Sequence, residues 1–65
     1  MNDMYRLYVE DPVSRMWLTG WTLAEGIEHP QFSTFKDQAM VFDTFESCLE
    51  WHRKLTRMGY RAHAI

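Results

Sequence analysis

The sequence has little that could fix a fold covalently or span a membrane. Its 65 residues include one cysteine, Cys48, which excludes a disulfide within the chain and suggests a reducing compartment. No apolar run approaches the roughly 20 residues that a membrane-spanning helix needs. The first residues also lack the charged and apolar regions of a signal peptide. We therefore expect one cytoplasmic domain covering residues 1–65.

Motifs of catalysis and phosphate binding are absent as well. The sequence holds no G-x-G-x-x-G, no P-loop and no G-x-S-x-G. Two acidic pairs, Glu10 with Asp11 and Glu25 with Glu28, lie in polar, turn-like segments, where solvated surface carboxylates are the ordinary case. We therefore predict a protein that is not an enzyme and uses no cofactor.

Three residues come nearest to a metal site. Cys48 and His52 are four positions apart on one predicted helix, and His63 could approach from a final strand, which would begin a zinc site. The missing C-x-x-C or H-x₃-H pair favours the alternative of a buried cysteine and a histidine at the rim. As nucleophile and base, Cys48 and His52 lack a third group to orient them. We predict no metal and no catalytic residue.

The last third of the chain contains the clearest structural pattern. Apolar residues recur at steps of three and four, as on one buried face of a helix: Phe45, Cys48, Leu49, His52, Leu55 and Met58. Asp43 and Thr44 suit an N-cap, and Glu46 has capping-box spacing from Asp43. Gly59 suits the left-handed position after the last turn. The sequence predicts a helix over about residues 44–58.

Alternating residues predict the strands around this helix. Residues 5–10 and 14–21 should form an antiparallel hairpin around an Asp11-Pro12 turn. Residues 38–42 and 60–65 should add strands before and after the helix, as a βαβ unit. The predicted class is α+β, with a small antiparallel-rich sheet of three to four strands and the helix packed on one face.

Two parts of this prediction stay open. Trp17, Thr19 and Trp21 share one predicted face of the second strand and Met16 and Leu18 the other, so either face could be buried. If Trp17 and Trp21 are exposed, they suit a protein contact; buried core is the alternative. Residues 22–37 form a long connection, with capping-box spacing at 22–25 and a helix-breaking proline at position 30. A connection of this length either has a function or contains an unrecognised secondary-structure element.

Charge is divided unevenly along the chain. Residues 1–50 hold nine acidic and three basic residues, which gives −6; residues 51–65 hold four basic residues and no acid, which gives +4. Acidic residues of the turns and helix start could form a negative surface that occupies a phosphate-binding groove: Glu10, Asp11, Glu25, Glu28, Asp37, Asp43, Glu46 and Glu50. An ordinary acidic surface is the alternative.

The basic residues give the second functional hypothesis. Four cations follow the second half of the helix, near Trp51 and Tyr60, and could bind nucleic acid: Arg53, Lys54, Arg57 and Arg61. The sequence pI of about 5.8 counts against this interpretation, because nucleic-acid-binding domains are usually basic. Cations near a helix C-terminus also complement the helix dipole without any ligand. A third hypothesis is a structural subunit that forms a weak homodimer through an exposed sheet edge.

In size, strand–helix–strand order and acidic first fifty residues, the whole chain resembles the compact phage-encoded anti-CRISPR inhibitors. Residues 42–46 (FDTFE) carry the strand-to-helix junction, and residues 58–60 (MGY) carry the helix-to-strand junction. The resemblance implies a stoichiometric inhibitor without catalysis. It also implies a host protein partner, such as a subunit of a CRISPR–Cas surveillance complex at its DNA-binding surface. We expect the acidic residues to make the contact by DNA mimicry, with no direct binding of nucleic acid or membrane.

Overall fold

The computed structural model describes residues 4–65, which form one four-stranded sheet and one α-helix. The strands are β1 (Leu7–Glu10), β2 (Arg15–Ala24), β3 (Ile27–Ser33) and β4 (Ala62–Ala64), and the helix is α1 (Phe45–Arg57). The strand order is β3-β2-β1-β4, and every neighbouring pair is antiparallel. The predicted α+β class, with a small sheet and one main helix, is confirmed. Residues 1–3, on which the signal-peptide prediction partly rests, lie outside the described range.

The ends of α1 follow from local hydrogen bonding. Thr44 is the N-cap, and its hydroxyl oxygen accepts the backbone N–H of Ser47 at 3.2 Å. The predicted Asp43–Glu46 capping box is therefore wrong by one residue. At the other end, the N–H of Tyr60 bonds to the carbonyl of Leu55 and that of Gly59 to Thr56, with Gly59 at φ +95°. These two bonds form a Schellman motif, which confirms the predicted glycine stop.

The core lies between α1 and one face of the sheet. Leu7, Leu18, Cys48 and Leu55 are fully buried there, beside Trp51 at 4% exposure. The predicted helix stripe is rotated from the observed one, because Trp51 belongs to the core while Phe45 and Met58 are 53% and 44% exposed. The buried face of α1 consists of Cys48, Trp51 and Leu55, at steps of three and four residues.

The predicted βαβ unit is wrong. A 3₁₀ turn over Lys36–Gln38 occupies the start of the expected strand, and only Phe42 pairs with Tyr5, as an isolated antiparallel bridge. The chain after α1 then returns as β4, which pairs antiparallel with β1 at the sheet edge. Backbone bonds between Arg6 and Ile65 and from Glu10 to Arg61 extend this ladder at both ends. The predicted β1–β2 hairpin is present, and its loop comprises residues 11–14.

Residues 22–37 contain a strand, which agrees with the predicted alternative that this connection holds an unrecognised element. β2 continues to Ala24, and the chain reverses at Glu25 (φ +53°) and Gly26 (φ +76°) into β3. Two residues with positive φ characterise a type I′ hairpin turn, so the helical turn suggested at residues 22–25 is wrong. The outer part of this hairpin, residues 20–31, extends past the point where β1 ends its pairing with β2. We call these residues the arm.

A β-bulge decides which tryptophan faces the helix. The β2–β3 register shifts between Leu18 and Gly20, which adds one residue to β2 at that point. Because side chains alternate between faces, the extra residue moves Trp21 to the helix side, where its ring centroid lies 4.4 Å from that of Trp51. Trp17 stays on the opposite face, against Tyr8 at 5.1 Å. The prediction that Trp17 and Trp21 share a face is therefore wrong.

Candidate functional site

The arm and the start of α1 lie at the same end of the sheet. β1 is antiparallel to β2, so its beginning lies at the end towards which β2 and the arm run. The helix starts there too, since the rings of Tyr5 and Phe45 are 5.8 Å apart. Five of the eight predicted acidic residues belong to the arm, to the residues just before α1 or to its first two turns, and we call this set the acidic end: Glu25, Glu28, Asp43, Glu46 and Glu50.

Lys54 lies at the boundary of the acidic end and links the arm to the helix. Its Nζ is 2.8 Å from Glu28 Oε1 and 3.9 Å from Glu50 Oε1, and it lies 4.8 Å from the centre of the Trp51 ring. Partly exposed ion pairs of this kind contribute roughly 0–1 kcal/mol each. The pairs therefore position the arm against α1 more than they stabilise the fold. Arg53 and Arg57 share the outer helix surface with Glu46, Glu50 and Lys54, so three cations reduce the charge of the five carboxylates to −2.

Exposed apolar side chains lie on the arm, on the same face as Glu28. Leu23 is 71% exposed and Trp21 is 38% exposed. Leu23 pairs with Glu28 across the hairpin, and Trp21 with Pro30. Cross-strand partners share a face, so Leu23 and Trp21 both lie on the helix side of the arm, as Glu28 does. The helix side of the arm thus combines exposed apolar side chains with the Glu28–Lys54 pair, and protein-binding patches likewise combine apolar and polar groups.

The other predicted acidic residues lie elsewhere. Glu10 and Asp11 occupy the β1–β2 hairpin at the opposite end of β2, and a strand of ten residues spans about 33 Å. Glu10 Oε1 lies 3.3 Å from His63 Nε2, and Asp11 Oδ1 accepts the N–H of Val13. Asp37 lies in the 3₁₀ turn that follows β3. The eight residues therefore do not form one continuous surface.

The predicted basic residues are also divided. Arg53 and Arg57 lie on the outer side of α1, together with Glu46, Glu50 and Lys54, where the charges are mixed. Arg61 lies after the end of α1, and its carbonyl oxygen accepts the Glu10 N–H at the end of the β1–β4 ladder. Trp51, proposed as a stacking partner, is buried against Trp21. The structure thus brings Arg53, Lys54 and Arg57 together on a mixed-charge helix face and separates Arg61 from them.

Cys48, His52 and His63 do not converge. Cys48 is fully buried at an apolar groove of about 190 Å³ between α1 and β4, lined also by Phe45, Leu49, His52 and Ala64. Burial raises the pKa of the Cys48 thiol. His52 Nε2 lies 2.9 Å from the carbonyl oxygen of Ala62, whereas His63 stacks on Tyr8 on the other face of the sheet. Across residues 4–65 no group of three His, Cys, Asp or Glu side chains could hold a metal ion.

Sequence reasoning missed a second charged surface, on the sheet face opposite α1. Arg15 and Lys36 belong to the half of the chain with a net negative charge, yet their charged groups lie over the Tyr8 and Trp17 rings. The alternation of β1 and the 14–21 strand could have placed Tyr8, Arg15 and Trp17 on a common face. No sequence signal places Lys36 there.

Similarity to known proteins does not indicate a function for these surfaces. No helix within residues 4–65 has both the length and the apolarity to cross a bilayer. Searches against protein-family models, curated proteins and solved structures found no match to the chain.

Proposed function

We propose that the chain is a non-catalytic binding protein whose acidic end occupies a basic, nucleic-acid-binding surface of a partner protein. The observation that carries the proposal is the link through Lys54 between Glu28 on the arm and Glu50 on α1, next to the exposed Leu23 and Trp21 of the arm. Basic nucleic-acid sites offer the complementary charge. Leu23 and Trp21 would supply the contact area that charge alone does not give.

The ion pairs at Lys54 support this function through pre-organisation. They join Glu28 on the arm to Glu50 on the helix, and the ring contact of Trp21 with Trp51 holds the same two elements together. A rigid array loses less conformational freedom on binding than carboxylates on a mobile loop. Because the chain resembles anti-CRISPR inhibitors, a DNA-binding subunit of a CRISPR–Cas surveillance complex is the partner to test first.

The test is affinity capture from a nuclease-treated bacterial lysate with three forms of the protein. The first is the wild type, and the second carries Glu25→Asn, Asp43→Asn and Glu46→Gln at the acidic end. The third is a control with Glu10→Gln, Asp11→Asn and Asp37→Asn, which removes an equal number of negative charges outside the acidic end. The asparagine side chain keeps an oxygen that can accept the Val13 N–H as Asp11 does, so the control retains its turn.

The proposal predicts a defined protein that the wild type and the control retain and that the acidic-end variant loses. Circular dichroism should show the same helix content in all three forms. Equal capture by the acidic-end variant and the control would contradict the proposal, because the contact would then not depend on where the charges lie. Capture lost equally by both variants would also contradict it, as a sign of general charge attraction.

A further inference from the structure

The sheet face opposite α1 is built of aromatic rings covered by cations. Tyr8 and Trp17 are only 7% and 5% exposed although no helix packs on them. The Arg15 guanidinium carbon lies 4.5 Å from the Tyr8 ring centre, and Lys36 Nζ lies 5.5 Å from that of Trp17. The His63 ring stacks on Tyr8 at 5.1 Å. Cation–π contacts of this kind hold the charged groups at fixed places above the sheet.

Cross-strand rows define the rest of this face. Glu10 pairs with Arg15 on β2, and its N–H bonds to the carbonyl of Arg61 beyond β4. Arg6 pairs through its backbone with Ile65 at the other end of the β1–β4 ladder. Because Leu7, Val9 and Ala62 point to the core, alternation places Arg6 and Arg61 on the opposite face with Tyr8.

The charge of this face opposes that of the whole chain. Four cations, Arg6, Arg15, Lys36 and Arg61, accompany one carboxylate of the paired strands, Glu10, which gives +3 in a protein of net charge −2. Asp11 lies in the adjoining loop and Asp37 in the 3₁₀ turn that also supplies Lys36, and counting both lowers the sum to +1. We call the set of four cations with Tyr8, Trp17 and His63 the basic face. It is separate from the acidic end, which lies on the arm and the helix side.

We propose that the basic face binds single-stranded nucleic acid. The phosphates would contact Arg15, Lys36, Arg6 and Arg61, since a guanidinium stacked on a ring leaves its N–H edge free for an anion. The exposed ring of His63 would stack with a base, and the exposed ring of Phe35, the residue before Lys36 in the chain, would stack with a second one. An acidic polypeptide could use the cations but presents a flat ring only where it holds an aromatic residue, whereas every nucleotide carries a base beside its phosphate, so the combination favours nucleic acid.

The test uses a fluorescent oligothymidylate of about 12 nucleotides, a length within the range of small single-strand-binding domains. Fluorescence anisotropy would measure its affinity for the wild-type protein and for two variants. One variant, Arg15→Gln with Lys36→Gln, removes two cations of the basic face. The matched control, Arg53→Gln with Arg57→Gln, removes two cations of the outer helix face and leaves the same net charge.

Salt dependence gives the expected numbers. Four phosphate contacts predict that wild-type affinity falls about 50-fold as salt rises roughly fourfold, whereas two remaining contacts predict a fall of about sevenfold for the Arg15/Lys36 variant. The Arg53/Arg57 control should keep the wild-type slope of log affinity against log salt concentration. Phe35→Ala should weaken binding about fivefold or more with the slope unchanged, because stacking carries no charge.

Three results would overturn the proposal. The wild type could fail to bind the oligonucleotide at low salt. The two double variants could lose affinity and slope equally, which would show that net charge alone is measured. Poly-L-glutamate could displace the oligonucleotide as well as unlabelled oligothymidylate does at equal charge, which would reassign the face to an acidic protein. None of these readouts involves the acidic end, so failure here leaves the proposed protein contact to its own test.

Discussion

Replacing Gly59 with alanine tests whether the end of α1 depends on backbone conformation alone. Gly59 has φ +95°, and a Cβ built there meets no heavy atom within 4 Å. The substitution therefore adds no clash, and its cost is the strain of placing an L-residue in the left-handed region. Gly20 also has open space around its Cβ position but no positive φ, so Gly20→Ala is the matched control.

The two substitutions should shift stability in opposite directions. Gly59→Ala should lower the free energy of unfolding by about 1 kcal/mol, because the strain exceeds the gain from a stiffer unfolded chain. Gly20→Ala should raise it by about 0.5 kcal/mol, since glycine weakens a strand interior. For a domain of this size about 1 kcal/mol corresponds to roughly 7 °C in Tm.

Thermal unfolding followed by circular dichroism in the helix band measures both shifts. The Gly59→Ala protein should also lose the protection of the Tyr60 amide in hydrogen exchange, because that N–H bonds to Leu55 only while Gly59 closes the motif. Equal Tm values for the two variants would refute the reasoning, since the variants differ in backbone φ and not in the space around the added methyl group.

Two further predictions concern the core. Leu55→Ala should lower the free energy of unfolding by about 2–5 kcal/mol, a large part of the roughly 3–10 kcal/mol expected for a chain of this length. Leu23→Ala, at an exposed position, should change it by less than about 0.5 kcal/mol. Urea titration measures both values, and similar costs for the two variants would contradict the core assignment. The raised pKa of Cys48 means that the folded state holds its thiol proton more tightly, so stability is complete below the usual thiol pKa and falls as pH rises above it. Cys48→Ala should abolish this loss between about pH 8 and 10, and an unchanged loss would place its origin in other groups.

The sequence predicted α1 well because several local signals agree there. The periodic apolar residues, a capping residue and Gly59 together specify the helix within one residue at each end. The same pattern could not show that Trp51 enters the core in place of Phe45 and Met58. That choice depends on Trp21, which the bulge in β2 turns towards the helix from a distant part of the chain.

β3 was harder to predict because its strand signals are weak. The arm is largely exposed, so it lacks the alternation of buried and polar residues that marks a half-buried strand. Its turn places Glu25 in a conformation that usually selects asparagine or aspartate, and Pro30 argues against a central strand. Proline is compatible with β3 because that strand lies at the sheet edge.

The charge pattern along the chain did not predict the charge pattern in space. Lys54, from the basic segment, is paired with Glu28 and Glu50, while Arg15 and Lys36 from the acidic segment cover the aromatic rings of the basic face. Antiparallel pairing interleaves distant segments, so a linear division of charge need not give two matching surfaces. The predicted cytoplasmic location and host partner stay predictions.

The central claim, that the acidic end occupies a nucleic-acid-binding surface, is tested most directly by competition. The protein captured by the wild-type chain would be titrated with a short DNA duplex at constant ionic strength, while the bound fraction of the chain is measured. The account predicts that DNA displaces the chain completely and that its apparent Kd rises linearly with DNA concentration. A ternary complex in which partner, DNA and chain bind together with unchanged affinity would contradict it.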